Sequence, residues 1–171
     1  MRAARSGRPA RDRQAAAPGV LKTLTGILVV GALLVAGCTA TPQASRERDA
    51  QAKEFRSHPN ASTIYVYRNP FDHLEDLTVL YIDARLVGET LPGAYFRIDT
   101  TPGKHVLHGV GIDSGRIALE TRAGTLYFVE LSVAAGLSTF REVPESIGRK
   151  RIAECCALLE NWAPGQRPLL K

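Results

Sequence analysis

From Ala61 onward the apolar residues recur with a period of two, and Pro or Gly interrupts them every eight to twelve positions. That pattern limits the chain to short strands joined by tight turns. Ser62–Arg68 (STIYVYR) is β-branched and aromatic, the composition of a strand. Leu77–Asp83 (LTVLYID) is apolar at both alternating sets of positions, which predicts a central strand buried on two faces. Asp83-Ala84-Arg85 predicts a tight turn returning through Leu86-Val87-Gly88. Leu91-Pro92-Gly93 leads into a strand at Ala94–Ile98, and Thr101-Pro102-Gly103, with Pro and Gly in type II order, leads into Lys104–Val110. Arg116–Glu120, Thr125–Val133 and Thr139–Val143 complete seven or eight strands. The expectation is a mainly β domain over 61–161, an antiparallel β-sandwich or a barrel, with the sandwich preferred.

The period changes after Val143. Pro144 suits a first helical turn and Glu145 its positive end. Ile147, Ile152, Cys155, Cys156 and Leu159 fall on one helical face, which predicts one C-terminal amphipathic helix of about 15 residues. Residues 162–171 are expected to be a loose tail.

The N-terminal third has a different character. The 171-residue chain carries a formal net charge of +5, an invitation to think of nucleic acid. Of its 22 basic and 17 acidic residues, however, six basic (Arg2, Arg5, Arg8, Arg11, Arg13, Lys22) and one acidic (Asp12) precede Cys38. That leaves 16 of each sign in 38–171, a neutral body without aromatic–basic interleaving, and no nucleic-acid partner is expected. The basic segment precedes an apolar run, Leu24–Ala36, ending in Gly37-Cys38. Thirteen helical residues cover about 20 Å, short of the ~30 Å bilayer core, so residues 1–37 are expected to be an export signal rather than a span.

Val35-Ala36-Gly37-Cys38 resembles the bacterial lipobox. That resemblance implies cleavage between Gly37 and Cys38, with a diacylglycerol thioether and an N-linked fatty acyl chain (palmitate or its like) on Cys38 and no other cofactor. Acyl chains at about 0.8 kcal/mol per buried methylene hold a protein on a bilayer. Thr39, rather than Asp, follows the cysteine; by resemblance to the enterobacterial sorting rule this points to the outer membrane, facing the periplasm. Residues 39–60 contain one large apolar residue, Phe55, and mixed charge, so 38–60 is expected to be a lipidated cysteine and a polar tether reaching roughly 70 Å when extended.

The segments ASTIYVYR, YIDARLVGE, GAYFRIDTTPGKH and GTLYFVELSV, in this order after the lipobox, resemble bacterial lipoproteins of domain of unknown function family 2846. The matching positions are Tyr81, Ile82, Asp83, Val87 and Gly88, then Gly93, Tyr95, Phe96, Pro102, Gly103 and His105, then Gly124, Tyr127, Phe128 and Val129. Ala84-Arg85 stands where that family usually has Gly-Lys, so the turn type there is open. The resemblance implies an envelope β-sandwich whose turn residues Asp83, Gly88, Gly93, Pro102, Gly103 and His105 are structural, and it implies no activity.

Candidate chemistry is sparse. His105 and His108 lie three apart on one predicted strand and face opposite ways, so they share neither a metal nor a proton. His105 follows a Pro-Gly turn, where its ring is expected to bond the turn backbone. His73 sits with Asp72, Glu75 and Asp76, the densest set of potential ligands, yet without the glycine and alternate spacing of a calcium loop. No G-x-S-x-G, Walker loop or dinucleotide fingerprint occurs, and no catalytic residue or metal site is expected. Cys155-Cys156 would face an oxidising periplasm; two buried thiols, an intermolecular disulfide and a redox or metal role all remain open, and a vicinal disulfide would have to break the helix locally. Arg149-Lys150-Arg151 is expected to be a solvated helix face. The functional expectation is a non-enzymatic lipoprotein, bound to the bilayer through Cys38 and to an envelope protein through its sandwich. The alternatives are a small-ligand or glycan site built on exposed Tyr65, Tyr67, Tyr81 or Tyr95, and a metal-dependent hydrolase using the His73 loop.

Overall fold

The computed structural model describes residues 41–72, 78–109 and 115–161. Within them lie helix α1 (Arg46–Ala52), strands β1 (Ser62–Arg68), β2 (Thr78–Ile82), β3 (Arg85–Thr90), β4 (Ala94–Thr100), β5 (Gly103–His108), β6 (Arg116–Thr121), β7 (Leu126–Ala134) and β8 (Leu137–Val143), helix α2 (Glu145–Cys155) and the short strand β9 (Ala157–Leu158). The strands form two sheets, one ordered β8-β7-β1-β4-β9 and the other β3-β2-β5-β6. The fold is therefore mainly β, a sandwich as the turn spacing predicted. It is not purely antiparallel: β1 lies antiparallel to β4 but parallel to β7, and β9 is parallel to β4. No helix of the described residues is long and apolar enough to cross a membrane.

Alternation along β1 explains both sides of the larger sheet. Ile64 and Val66 point between the sheets, into a core that includes Leu80, Ile82, Phe96, Ile98, Leu107 and Val129. Tyr65 and Tyr67 point the other way, into a second core with Phe55, Tyr95, Phe128, Ile152 and Leu158. Every residue of β1 is buried. The doubly buried strand is thus β1, not the 77–83 segment. In β2, Thr78, Leu80 and Ile82 are buried while Val79 and Tyr81 are half-buried, because its sheet meets the core on one face only.

The second core needs a cover, and the expected tether supplies part of it. Residues 41–60 are docked rather than extended. Ser45 caps α1 by accepting from the Arg48 amide. Asp49 then acts as a hub: one carboxylate oxygen accepts from the Leu158 amide at 2.9 Å and the Tyr95 hydroxyl at 3.0 Å, and the other pairs with Lys53 at 2.8 Å. Ala52 is buried, and its carbonyl accepts from the Tyr65 hydroxyl at 2.7 Å. Phe55 tucks beneath α2, its ring 5.3 Å from Tyr65 and 5.8 Å from Phe128, with the Arg149 guanidinium 5.0 Å above it. Polar contacts and one aromatic wedge dock this segment, and an apolar stripe is not required.

The C-terminal helix also differs from expectation. It ends at Cys155, 11 residues long, because Cys156 turns extended (φ −120°, ψ 145°). Ile147, assigned to the apolar face, is exposed, whereas Gly148 is buried against Phe128. Leu159 leaves the helix altogether, bridges Gln43 and enters the core between the sheets. Residues 1–40, with Gly37 and Cys38, lie outside the described residues, as do 73–77, 110–114 and the expected loose tail 162–171.

Candidate functional site

Two of the motif residues meet across the smaller sheet. Asp83 and Ala84 both have positive φ (50° and 60°), the conformation of a type I′ turn, which settles the turn type between β2 and β3. The turn aims the Asp83 carboxylate at β5. One oxygen accepts from the Val106 amide at 2.9 Å and the other lies 2.6 Å from Nδ1 of His105. The opposite ring nitrogen, Nε2, meets the Thr101 carbonyl at 2.7 Å. Burial acts to raise the Asp83 carboxyl. The His105 hydrogen bond, the Val106 amide and the electrostatic influence of the neighbouring His105 and Arg85 outweigh it and hold the group below its ordinary value. An Asp–His pair orients a base in many hydrolases, but there one imidazole nitrogen is free to take a proton. Here both nitrogens face oxygen atoms of the protein, so the pair ties a hairpin turn to β5.

The remaining motif glycines do different work. Gly93 (φ 70°) completes a Leu91-Pro92-Gly93-Ala94 turn closed by a 3.1 Å bond from the Ala94 amide to the Leu91 carbonyl, the type II geometry Pro-Gly predicts. Gly88 is not in a turn. It lies within β3, where a Cβ would come 2.8 Å from the Phe96 ring. The type II turn expected at Thr101-Pro102-Gly103 is replaced by a bend at Pro102: Gly103 has φ 135°, opens β5, and the chain passes there from one sheet to the other.

The tyrosine-lined surface proposed for a glycan is absent. Tyr65, Tyr67 and Tyr95 are 0%, 2% and 1% exposed, and Tyr81 is half-buried and stacked on His108 with ring centroids 5.2 Å apart. Burial pushes the Tyr65 phenol up to about 12 despite the opposing pull of Arg97, and burial with the neighbouring Asp49 carboxylate pushes Tyr95 up as well. His73, Glu75 and Asp76 lie outside the described residues. Asp72 is engaged elsewhere, paired with buried Arg68 at 3.2 Å and accepting from the Val133 amide at 2.9 Å.

The reactive feature that the sequence left open is resolved at the end of α2. Cys155 and Cys156 form a disulfide with each other. Cys156 is 4% exposed, while Cys155 is half-buried and borders a cavity of about 180 Å³ together with Tyr67, Phe71, Arg151 and Glu154. The Tyr67 hydroxyl is buried and has no hydrogen-bond partner among the described residues. Phe71 stands almost wholly in solvent at the cavity rim. No sequence signal singles out Tyr67 or Phe71 for this place, since their convergence depends on how the 69–72 loop crosses β7.

No protein-family model matches the chain, and no solved structure matches it. The chain is 30% identical over 129 residues to an uncharacterized protein of Haemophilus influenzae, an alignment covering 72% of this chain and 77% of the relative. With that identity sustained across most of both proteins, the chain belongs to the same family as the Haemophilus influenzae protein.

Proposed function

We propose that this protein is a lipid-anchored lipoprotein of the bacterial cell envelope, and that its sandwich is a non-enzymatic interaction module. The observation that carries the reading is Val35-Ala36-Gly37-Cys38 at the end of a charged-then-apolar leader. The Cys155–Cys156 disulfide supports it, because disulfides persist in oxidising compartments such as the periplasm. The likeness of the strand and turn segments to lipoprotein family 2846 points the same way.

Docking of residues 41–60 changes how such an anchor would act. Thr41 is buried, and its hydroxyl accepts from the Glu89 amide at 2.8 Å. Only Thr39 and Ala40 separate it from Cys38, a reach of about 11 Å when extended. An acylated Cys38 would therefore keep the sandwich near the headgroups instead of roughly 70 Å away. The same segment borders β3 and β9, at one end of each sheet, through the Thr41–Glu89 bond and the Gln43–Leu159 bridge. A partner strand would pair at the opposite end, along β8, which is seven residues long.

Two measurements test this. Protein from the native host should carry acyl mass on an N-terminal Cys38, and Cys38→Ser should abolish it; an intact leader without acyl mass overturns the anchor. A photocrosslinker at Thr139 on β8 should capture a discrete envelope protein in cells. Failure there, with the anchor intact, overturns the module and leaves the placement standing.

A further inference from the structure

We propose that the Cys155–Cys156 disulfide is a reducible site, opened from the cavity beside Cys155 by a small thiol that carries a carboxylate. The proposal does not depend on the lipid anchor. Its first support is access. Cys155 borders the cavity of about 180 Å³, whereas Cys156 is 4% exposed and faces the core formed by Tyr65, Phe128 and Leu158. An attacking sulfur therefore reaches one member of the pair and not the other.

The second support is the chemistry of the wall. Arg151 lies one helical turn before Cys155, so the two share a face of α2. Glu130 and Glu154 line the same cavity, but Glu130 is paired with Arg141 and Glu154 lies 4.0 Å from Lys150, whereas Arg151 has no carboxylate partner among the described residues. The Tyr67 hydroxyl is buried and unpartnered at the same cavity. Burial raises its pKa, with Glu130 adding to the effect, so the phenol stays a neutral donor. An unpaired guanidinium and an orphan hydroxyl are the donors a carboxylate needs. The exposed Phe71 ring gives such a molecule an apolar edge to lie against.

The reaction is thiol–disulfide exchange. The incoming thiolate sulfur bonds to Sγ of Cys155, the Sγ–Sγ bond breaks, and its electron pair leaves on Sγ of Cys156, which takes a proton. A second thiol attacks the outer sulfur of the mixed disulfide, releasing the external disulfide and the Cys155 thiolate. In net terms two thiols are oxidised to one disulfide, and Cys155 and Cys156 are reduced to two thiols.

The test compares mercaptoacetate with cysteamine, similar in size and opposite in charge, on the intact folded protein. Reactions are quenched with N-ethylmaleimide and mapped by tandem mass spectrometry. Each rate is normalised to that thiol's rate with a small model disulfide. We expect mercaptoacetate to react at least several-fold faster after normalisation, with the transient adduct on Cys155 and the maleimide on Cys156. Arg151→Gln should abolish that preference, and Tyr67→Phe should reduce it. Neither change should disturb folding, since Arg151 is exposed and the Tyr67 hydroxyl bonds to nothing described. Equal normalised rates or an adduct on Cys156 would each overturn the proposal.

Discussion

The two sheets of this sandwich share one core but face different surroundings. The five-stranded sheet is sandwiched between its partner and a layer of helices, so β1 is buried on both faces and carries aromatic and charged side chains into the interior. The four-stranded sheet alternates in the ordinary way, β6 running exposed, half-buried, exposed, buried, exposed, buried. The contrast shows that the helical side buries polar and charged partners in a second core, whereas the open sheet alternates and keeps its Asp83–His105 tie at a turn. Arg97, 3% exposed, illustrates this: it pairs with Asp99 at 3.2 Å, donates to the Arg56 carbonyl at 3.1 Å, and lies 5.8 Å from the Tyr65 ring centre.

Substitutions on the two sides should therefore differ sharply. Arg97→Ala, which removes the guanidinium paired with the buried Asp99 carboxylate, is expected to cost about 3–5 kcal/mol by urea denaturation. A loss below 1 kcal/mol would mean that the helical layer is not specifically held. Gly148→Ala is next: its Cβ would stand 2.4 Å from the Phe128 ring, and overpacking of this kind costs about 1–3 kcal/mol. On the open sheet the largest effect should come from Asp83→Asn, about 1–2 kcal/mol at neutral pH through weakened charged hydrogen bonds. Because the folded Asp83 pKa is depressed, its contribution is present above the ordinary carboxylate range and fades as the pH falls through the folded value. Wild type and variant should then converge in stability in acid, below about pH 4. Ala84→Gly should stabilise by about 1 kcal/mol, since Ala84 sits at φ 60° where glycine is unstrained. Glu120→Ala, on the exposed face of β6, should change stability by less than about 0.5 kcal/mol.

Much of the open sheet was legible in the sequence. Pro-Gly at 92–93 marked the turn out of β3, and the alternation of Arg116–Glu120 placed β6, because those signals are local. The candidate site was legible only in pieces. Cys155-Cys156 stood out as unusual, but the cavity beside it is made by Tyr67 and Phe71, more than eighty residues away in the chain, and no local pattern announces such a meeting.

The sequence by itself determined the sandwich, the turn at Pro92-Gly93 and the break between a basic N-terminal segment and a neutral body. These follow from backbone preferences and charge, which act over a few residues. Only the tertiary structure decided that β1 rather than 77–83 is the buried centre, that 41–60 is a docked cover, and that α2 stops at Cys155. Each of those depends on which surfaces meet. Asp49 is one polar residue among many in the sequence, and it becomes a hub only when Tyr95 and the Leu158 amide arrive beside it.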